Sequence, residues 1–301
     1  RLADQLNLPY AAMVHGFDSE AAIGERKDFE HVTVQKLLIK EKINLTEQAR
    51  MYLNHGVDQN AIIRYLYNDM GNMAEAVKTR TEAMKMELLQ TGKITLKENG
   101  VNLVVDFDVP AENVVTVSGW NDTAHDILGD IQTWVDLGTS KGQNLTRAVT
   151  STKIVRMMQK NEGIQKAIYG TNGTGVYISV GQLNNLLSAM FSGLTVTTND
   201  AQYITYKDTK KKGKKTSTRF FGENNFSLFD PMNNGSLGVG LWGVTPEEEI
   251  SGPYTEKSAQ QFITISKWEE PDPVATWTKA SGLFIPVLPN PYGLVCATVN
   301  P

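Results

Sequence analysis

Cysteine is nearly missing from this chain: among 301 residues there is one, Cys296. No disulfide can form within the chain, which fits a reducing compartment. Histidine is scarce too. His15, His31, His55 and His125 are scattered without metal-ligand spacing. No stretch approaches the roughly 18–20 apolar residues of a membrane span, and no basic-then-apolar signal segment opens the chain. The net charge of −4 gives no reason to expect nucleic-acid affinity from the molecule as a whole. The hydrophobic share of 41% with 21% charged residues is an ordinary globular balance, and a chain of this length can bury a sizeable core.

Motifs of chemistry are also lacking. There is no HExxH, CxxC or Walker A sequence. One GxGxxG match exists at Gly238, Gly240 and Gly243. A dinucleotide site needs a helix N-terminus after the glycines to meet the pyrophosphate. Here the acidic run Glu247-Glu248-Glu249 follows Pro246 and would repel phosphate, so the glycines read as a tight packed turn. The carboxylates read as solvated surface or as the first turn of a helix, where the dipole favours them. The basic run Lys210–Lys215 could touch phosphates nonspecifically. No aromatic residue interrupts it, so it reads as an exposed hairpin tip between Tyr203–Tyr206 and Thr218–Phe221. No catalytic, cofactor or metal residue is nominated.

What the chain does contain is extended and charged. Arg1–Gly16 reads as an arm. Phe17–Leu45 is dense in both signs of charge, with Phe29, Val32, Val34 and Leu37-Leu38-Ile39 between them, and suggests an extended two-stranded loop. The strongest local signal follows. Asp58 can cap a helix, and Ile62, Leu66, Met70, Met73, Val77, Met84 and Leu88 recur at helical spacing until Gly92. A helix over 59–91 would be on the order of 50 Å long, comparable to the diameter of a compact globule of this size. The methionines read as core. Ile94–Lys97 and Val101–Phe107 form a hairpin, with Asn99-Gly100 suited to its turn.

Beyond Trp120 the pattern is mixed α/β. Asp122 is expected to cap a helix running from Ala124 to Val135, and Ser151 another carrying Ile154 to Met158. Gln182–Phe191 is a third helix, stopped by Gly193. Arg147–Thr150, Leu194–Thr198, Gln202–Tyr206 and Phe226–Phe229 read as strands. From Pro246 the chain returns to strands and turns, with Phe262, Thr264 and Ser266 alternating against Ile263 and Ile265.

Four segments, taken in order, resemble the major capsid protein family that includes capsid protein E of phage lambda. They are Asp18–Ile43, the helix end Leu88–Lys93 with its hairpin, Gly240-Leu241-Trp242-Gly243-Val244-Thr245-Pro246-Glu247-Glu248, and the tail from Asp272-Pro273 through Trp277–Pro291. The resemblance implies an α+β chain of the Hong Kong 97-type phage capsid fold. Residues 1–16 would be the N-terminal arm and 17–50 the extended loop over a neighbouring subunit. Residues 51–119 would be the peripheral domain with its spine helix, 120–245 the axial domain, and 246–301 the return to the peripheral domain.

The implied mechanism is self-assembly into hexamers and pentamers of an icosahedral head shell around double-stranded DNA. Head-to-tail contacts would close the rings. Glu25, Arg26, Lys27, Asp28, Glu30, Lys40 and Lys42 would pair with charges next door, while Phe29, Val32 and Leu38 supply apolar anchors. Lys27, Lys36, Lys40 and Lys42 are the loop lysines available for the crosslink some members of this fold make, without a motif for it. Scaffold, portal and decoration proteins are the other implied partners, with DNA touched nonspecifically at most and no membrane. The expected location is the virion, after assembly in the host cytoplasm. Three other readings stand beside it: a nanocompartment shell of the same fold, a phosphate-handling enzyme using Gly238–Gly243 and Lys210–Lys215, and a nonspecific DNA-binding module.

Overall fold

The computed structural model describes residues 36–45, 47, 51, 59–98, 101–206, 215–231, 237–249, 255–260, 262–272 and 274–300. In chain order, β1 is Leu37–Leu45, α1 is Gln59–Thr91, β2 is Lys93–Glu98, β3 is Val101–Asp106 and β4 is Val114–Val117. Next come α2 (Ile127–Ser140), β5 (Arg147–Thr150), α3 (Thr152–Lys160), α4 (Glu162–Tyr169) and α5 (Val180–Met190). The strands β6 (Thr195–Thr198), β7 (Gln202–Tyr206), β8 (Lys215–Arg219), β9 (Asn225–Phe229) and β10 (Val239–Gly243) follow. The chain ends with α6 (Pro246–Glu249), β11 (Thr255–Gln260), β12 (Ile263–Pro271), β13 (Val274–Val287) and β14 (Leu294–Val299).

The described chain forms two compact units. One gathers Met86–Val239 and Leu288–Pro301. Its sheet runs β4-β14-β9-β5-β6, with β14–β4 and β5–β6 parallel and the other pairs antiparallel. The late strand β14 therefore lies inside a sheet otherwise built from residues 114–229. Helices α2 to α5 bury Ile127, Ile131, Trp134, Ile154, Val155, Met158, Ile164, Leu183 and Leu187 with this sheet. Trp120, Trp134 and Phe226 form an aromatic cluster with centroids 5.6 to 5.8 Å apart. The indole of Trp120 donates to Asp130 at 2.7 Å, and His125 meets the same carboxylate at 2.8 Å. Cys296 is buried here, donating to the Leu89 carbonyl, and burial pushes its thiol up to about 12.

Several helix ends follow local chemistry. The expected helix to Thr91 is present, and its Met73, Val77, Met84 and Leu88 are buried as core. Gly92 closes it, with φ +69° and its N–H bonded to Leu88 O at 2.8 Å. A Cβ on Gly92 would stand 2.6 Å from Val109 Cγ2. Gly92→Ala is therefore expected to destabilise by about 1–3 kcal/mol, read as a lowered urea midpoint with an unchanged slope. Ser151 caps α3 as expected, accepting from Ile154 N–H. Ser179 and Gln182 close a capping box on α5.

The cap expected at Asp122 is corrected. Asp126 is the cap of α2, accepting from Gly129 N–H. Asp122 instead bonds Ala124 N–H in a turn, so the helix starts three residues after Ala124. Both aspartates can cap, and the turn from Gly119 decides between them. The hairpin β7–β8 is paired as expected, while its lysine tip, residues 210–214, lies outside the described residues. Asp58 and the Asn99-Gly100 turn also lie outside them.

The other unit gathers Val34–Lys85 and Gly240–Val287. Its sheet runs β1-β13-β12-β11, all antiparallel, with β10 also pairing β13. On one face Ile39, Ile263, Ile265 and Ala280 pack against Met70, Met73 and Val77 of α1. The expected alternation holds from Ile263 to Ser266, with Ile263 and Ile265 on the α1 face, while Phe262 precedes β12. Ile263, Thr264, Ile265 and Ser266 are all buried, and Phe262 stands 63% exposed. The polar face is covered as well: Thr264 bonds Thr245 at 2.6 Å and Glu248 at 2.8 Å. Both faces of β12 are therefore buried over residues 263–266.

The GxGxxG segment is likewise corrected from a turn to strand β10. Glycine serves close packing there. A Cβ on Gly240 would meet Phe284 at 2.6 Å, and one on Gly243 would meet Leu283 at 2.8 Å.

Candidate assembly surface

β1 begins this surface. Its nine residues pair antiparallel with β13 from Leu37↔Phe284 to Leu45↔Thr276. Strand period places Leu38, Lys40 and Lys42 on one face and Ile39 on the other. Ile39 faces α1, so the three even-numbered residues face away from it. On that face the register brings Lys42 opposite Lys279 and places Lys40 one pair further along.

Between the two lysines sits Glu247, at the start of α6. Lys40 Nζ lies 2.9 Å and Lys279 Nζ 2.7 Å from its Oε1. The Glu247 side chain is 6% exposed, against 43% for Lys40 and 22% for Lys279. Burial alone would raise the carboxyl pKa, but hydrogen bonds from Lys279 and Lys40 overcome it and hold the pKa at about 2. The second oxygen, Oε2, is buried with no hydrogen-bond partner among the described residues. Glu247 thus locks β1 to β13 through two cations. The expectation of a helical first turn after Pro246 holds, but solvated surface is corrected at Glu247, because the two lysines make its burial tolerable.

Further along the same face, Lys42 Nζ lies 4.5 Å from the Trp277 ring centre, within cation–π range. Trp277 stacks on Trp268 at 6.3 Å and donates its indole N–H to Glu270 at 2.7 Å. Of the ten nominated contact residues, Lys40 and Lys42 therefore have partners within the chain. Leu38 stays 42% exposed. Glu25, Arg26, Lys27, Asp28, Phe29, Glu30 and Val32 lie outside the described residues.

The other edge of β1 has no strand partner among the described residues. A nine-residue edge with exposed Leu38 and Ile43 is a template for pairing with another chain. Lys279 and Trp277 were not singled out in the sequence, and Glu247 was read only as part of the acidic run 247–249. Their link to β1 depends on a pairing across more than two hundred residues, for which no local pattern exists. Among the described residues no group of three or more His, Cys, Asp or Glu could hold a metal.

Comparison with known proteins gives this surface its setting. The family model described as phage major capsid protein E matches residues 8–299. The chain belongs to the phage major capsid protein E family. Among solved structures it resembles the putative capsid protein of a prophage of E. coli CFT073, with a TM-score of 0.61 at 15% identity, covering 91% of this chain and 80% of that one. The mature capsid of bacteriophage PhiM1 aligns at 7% identity and TM-score 0.48, over 96% of this chain and 79% of that one. The holo-SrpI encapsulin complex from Synechococcus elongatus PCC 7942 aligns at 10% identity and TM-score 0.44, over 87% and 73%. No curated protein matches the chain. The α+β architecture is the Hong Kong 97-type capsid fold. This phage capsid protein is a shell-forming subunit of the virion.

Proposed function

We propose that the chain closes into hexamers and pentamers by heterologous contacts, and that these tile an icosahedral head around double-stranded DNA. The edge of β1 that has no strand partner among the described residues, with Leu38 and Ile43 exposed beside it, is the observation that carries this reading. An edge strand exposing apolar residues is a liability in a monomer and an asset in a subunit whose neighbour covers it. In this reading residues 1–16 are the arm, 17–50 the loop reaching over the neighbour with β1 at its root, and the unit of 86–239 the axial domain, with 51–85 and 240–287 peripheral. Leu288–Pro301 goes with the axial residues, because β14 pairs with β9. Glu25 to Val32 would dock on the adjoining subunit together with Leu38, with scaffold, portal and decoration proteins as further partners. Assembly would take place in the host cytoplasm. The family match favours a phage head over a nanocompartment.

Leu38→Asp tests the β1 contact. The side chain is 42% exposed, so the thermal midpoint of the unassembled protein is expected to stay within ~2 °C of wild type. The assembled fraction in sedimentation velocity is expected to fall at least about tenfold, since a charge would be buried in the interface. Wild-type assembly by Leu38→Asp would remove β1 from the contact.

A further inference from the structure

Helix α3 is amphipathic. Ile154, Val155 and Met158 face the core, while Lys153, Arg156 and Lys160 stand exposed at helical spacing. Lys153 is engaged by Asn224 at 2.9 Å and Glu223 at 3.6 Å. Arg156 and Lys160 have no hydrogen bond or ion pair among the described residues. Both line an open cleft of about 700 Å³, floored by Trp120, Thr152 and Met157. They also line an adjoining hollow of about 590 Å³, walled by Val176 and Tyr177. Tyr177 is 82% exposed and Val176 40%. Two cations without a partner among the described residues, beside an exposed aromatic, suit the recognition of carboxylates.

A surface of complementary charge exists on the same chain. The β12–β13 turn exposes Glu269, Glu270, Pro271 and Asp272. Its base is stiffened by the Trp268–Trp277 stack and the Trp277–Glu270 hydrogen bond. Glu47 accepts from Val274 N–H at 2.9 Å and adds another carboxylate beside the tip. A two-stranded tip is roughly 10 Å across with its side chains, narrow enough to enter an open cleft.

Building on the shell reading above, we propose that the acidic β12–β13 tip of one copy docks in the Arg156–Lys160 cleft of a second copy. A closed ring or shell needs two different surfaces that match, and opposite charge on a stiff tip and a cleft provides such a pair. A second copy fits better than a nucleic acid. Asp200 and Glu223 also line the cleft, where they engage Arg219, and a long phosphate backbone would run against them. A short tip can address Arg156 and Lys160 alone. Tyr177 and Val176 would then cover the apolar base of the tip.

Charge reversal with rescue tests this on the full chain. The variants are Arg156→Glu with Lys160→Glu, Glu269→Lys with Asp272→Lys, and all four together. Each pair alone is expected to lower the assembled fraction at low salt by about tenfold, and the fourfold variant to recover most of it. Thermal melts of unassembled protein check the fold, and the neutral pair Arg156→Gln with Lys160→Gln should show a smaller loss in the same direction. Normal assembly by either reversed pair, or no recovery in the fourfold variant, overturns the contact. Shells of the Arg156→Glu, Lys160→Glu variant that form normally but pack less DNA would assign the cleft to phosphates and overturn it too. If the wild-type chain never assembles, the shell reading has failed and this contact falls with it, whereas the outcomes above leave that reading standing.

Discussion

Glu247→Gln is expected to cost about 2–3 kcal/mol of stability and to flatten the acid limb of the unfolding curve. The variant keeps the shape of the side chain but leaves Lys40 and Lys279 facing a neutral amide, with both ammonium groups within 2.9 Å of the replaced oxygen in the native chain. The cost is set below that of a fully buried pair because Lys40 is 43% exposed and water screens it. The sign of the pH effect follows from the depressed pKa. Folding lowers the carboxyl from 4.5 to about 2, so the unfolded chain takes up its proton first as pH falls. The stabilisation is complete above roughly pH 5 and is lost progressively towards pH 2. Urea midpoints measured between these limits should therefore fall more steeply for the native chain than for Glu247→Gln. Parallel curves would mean that the two lysines do not hold the carboxylate charged.

Trp134→Ala is expected to have the largest effect of any single substitution considered, about 3–5 kcal/mol. Trp134 is 1% exposed and lies between Trp120 at 5.7 Å and Phe226 at 5.6 Å. Truncation leaves a cavity walled by two rings that are themselves pinned, Trp120 by its bond to Asp130 and Phe226 by strand β9. Such walls cannot collapse far, which places the loss at the upper end of the range. A domain is stable by roughly 5–15 kcal/mol in total, so a large share of the margin of this unit would go. Trp134→Phe should recover a large part of the loss. A urea midpoint for Trp134→Ala close to that of the native chain would contradict the assignment of this cluster as the centre of the core.

The sequence made some of this readable and hid the rest for physical reasons. The spine helix could be bounded at both ends, because thirty-three residues of 3.6 periodicity and a terminal glycine are local signals. Ser151 could be recognised as a cap for the same reason. Asp122 and Asp126 could not be ranked, since each suits a cap and only the preceding turn decides. The alternation of Ile263 and Ile265 against Thr264 and Ser266 was legible, but the burial of the polar face was not, because Thr245 and Glu248, which bond Thr264, come from a different stretch of chain. The cluster around Glu247 was the least legible. It needs β1 and β13 in register, and that pairing is set by the folded sheet. Arg156 and Lys160 carried a signal that could have been used: two cations at i and i+4 on the outer face of an amphipathic helix, with no acidic partner at helical spacing.

The central claim is that this chain builds a shell from copies of itself. Negative-stain electron microscopy of the full chain expressed alone, alongside size-exclusion chromatography, tests it most directly. Closed shells, tubes, or rings of five or six subunits are predicted. A monomer or dimer at every concentration and salt, unchanged when scaffold protein is supplied, would contradict it.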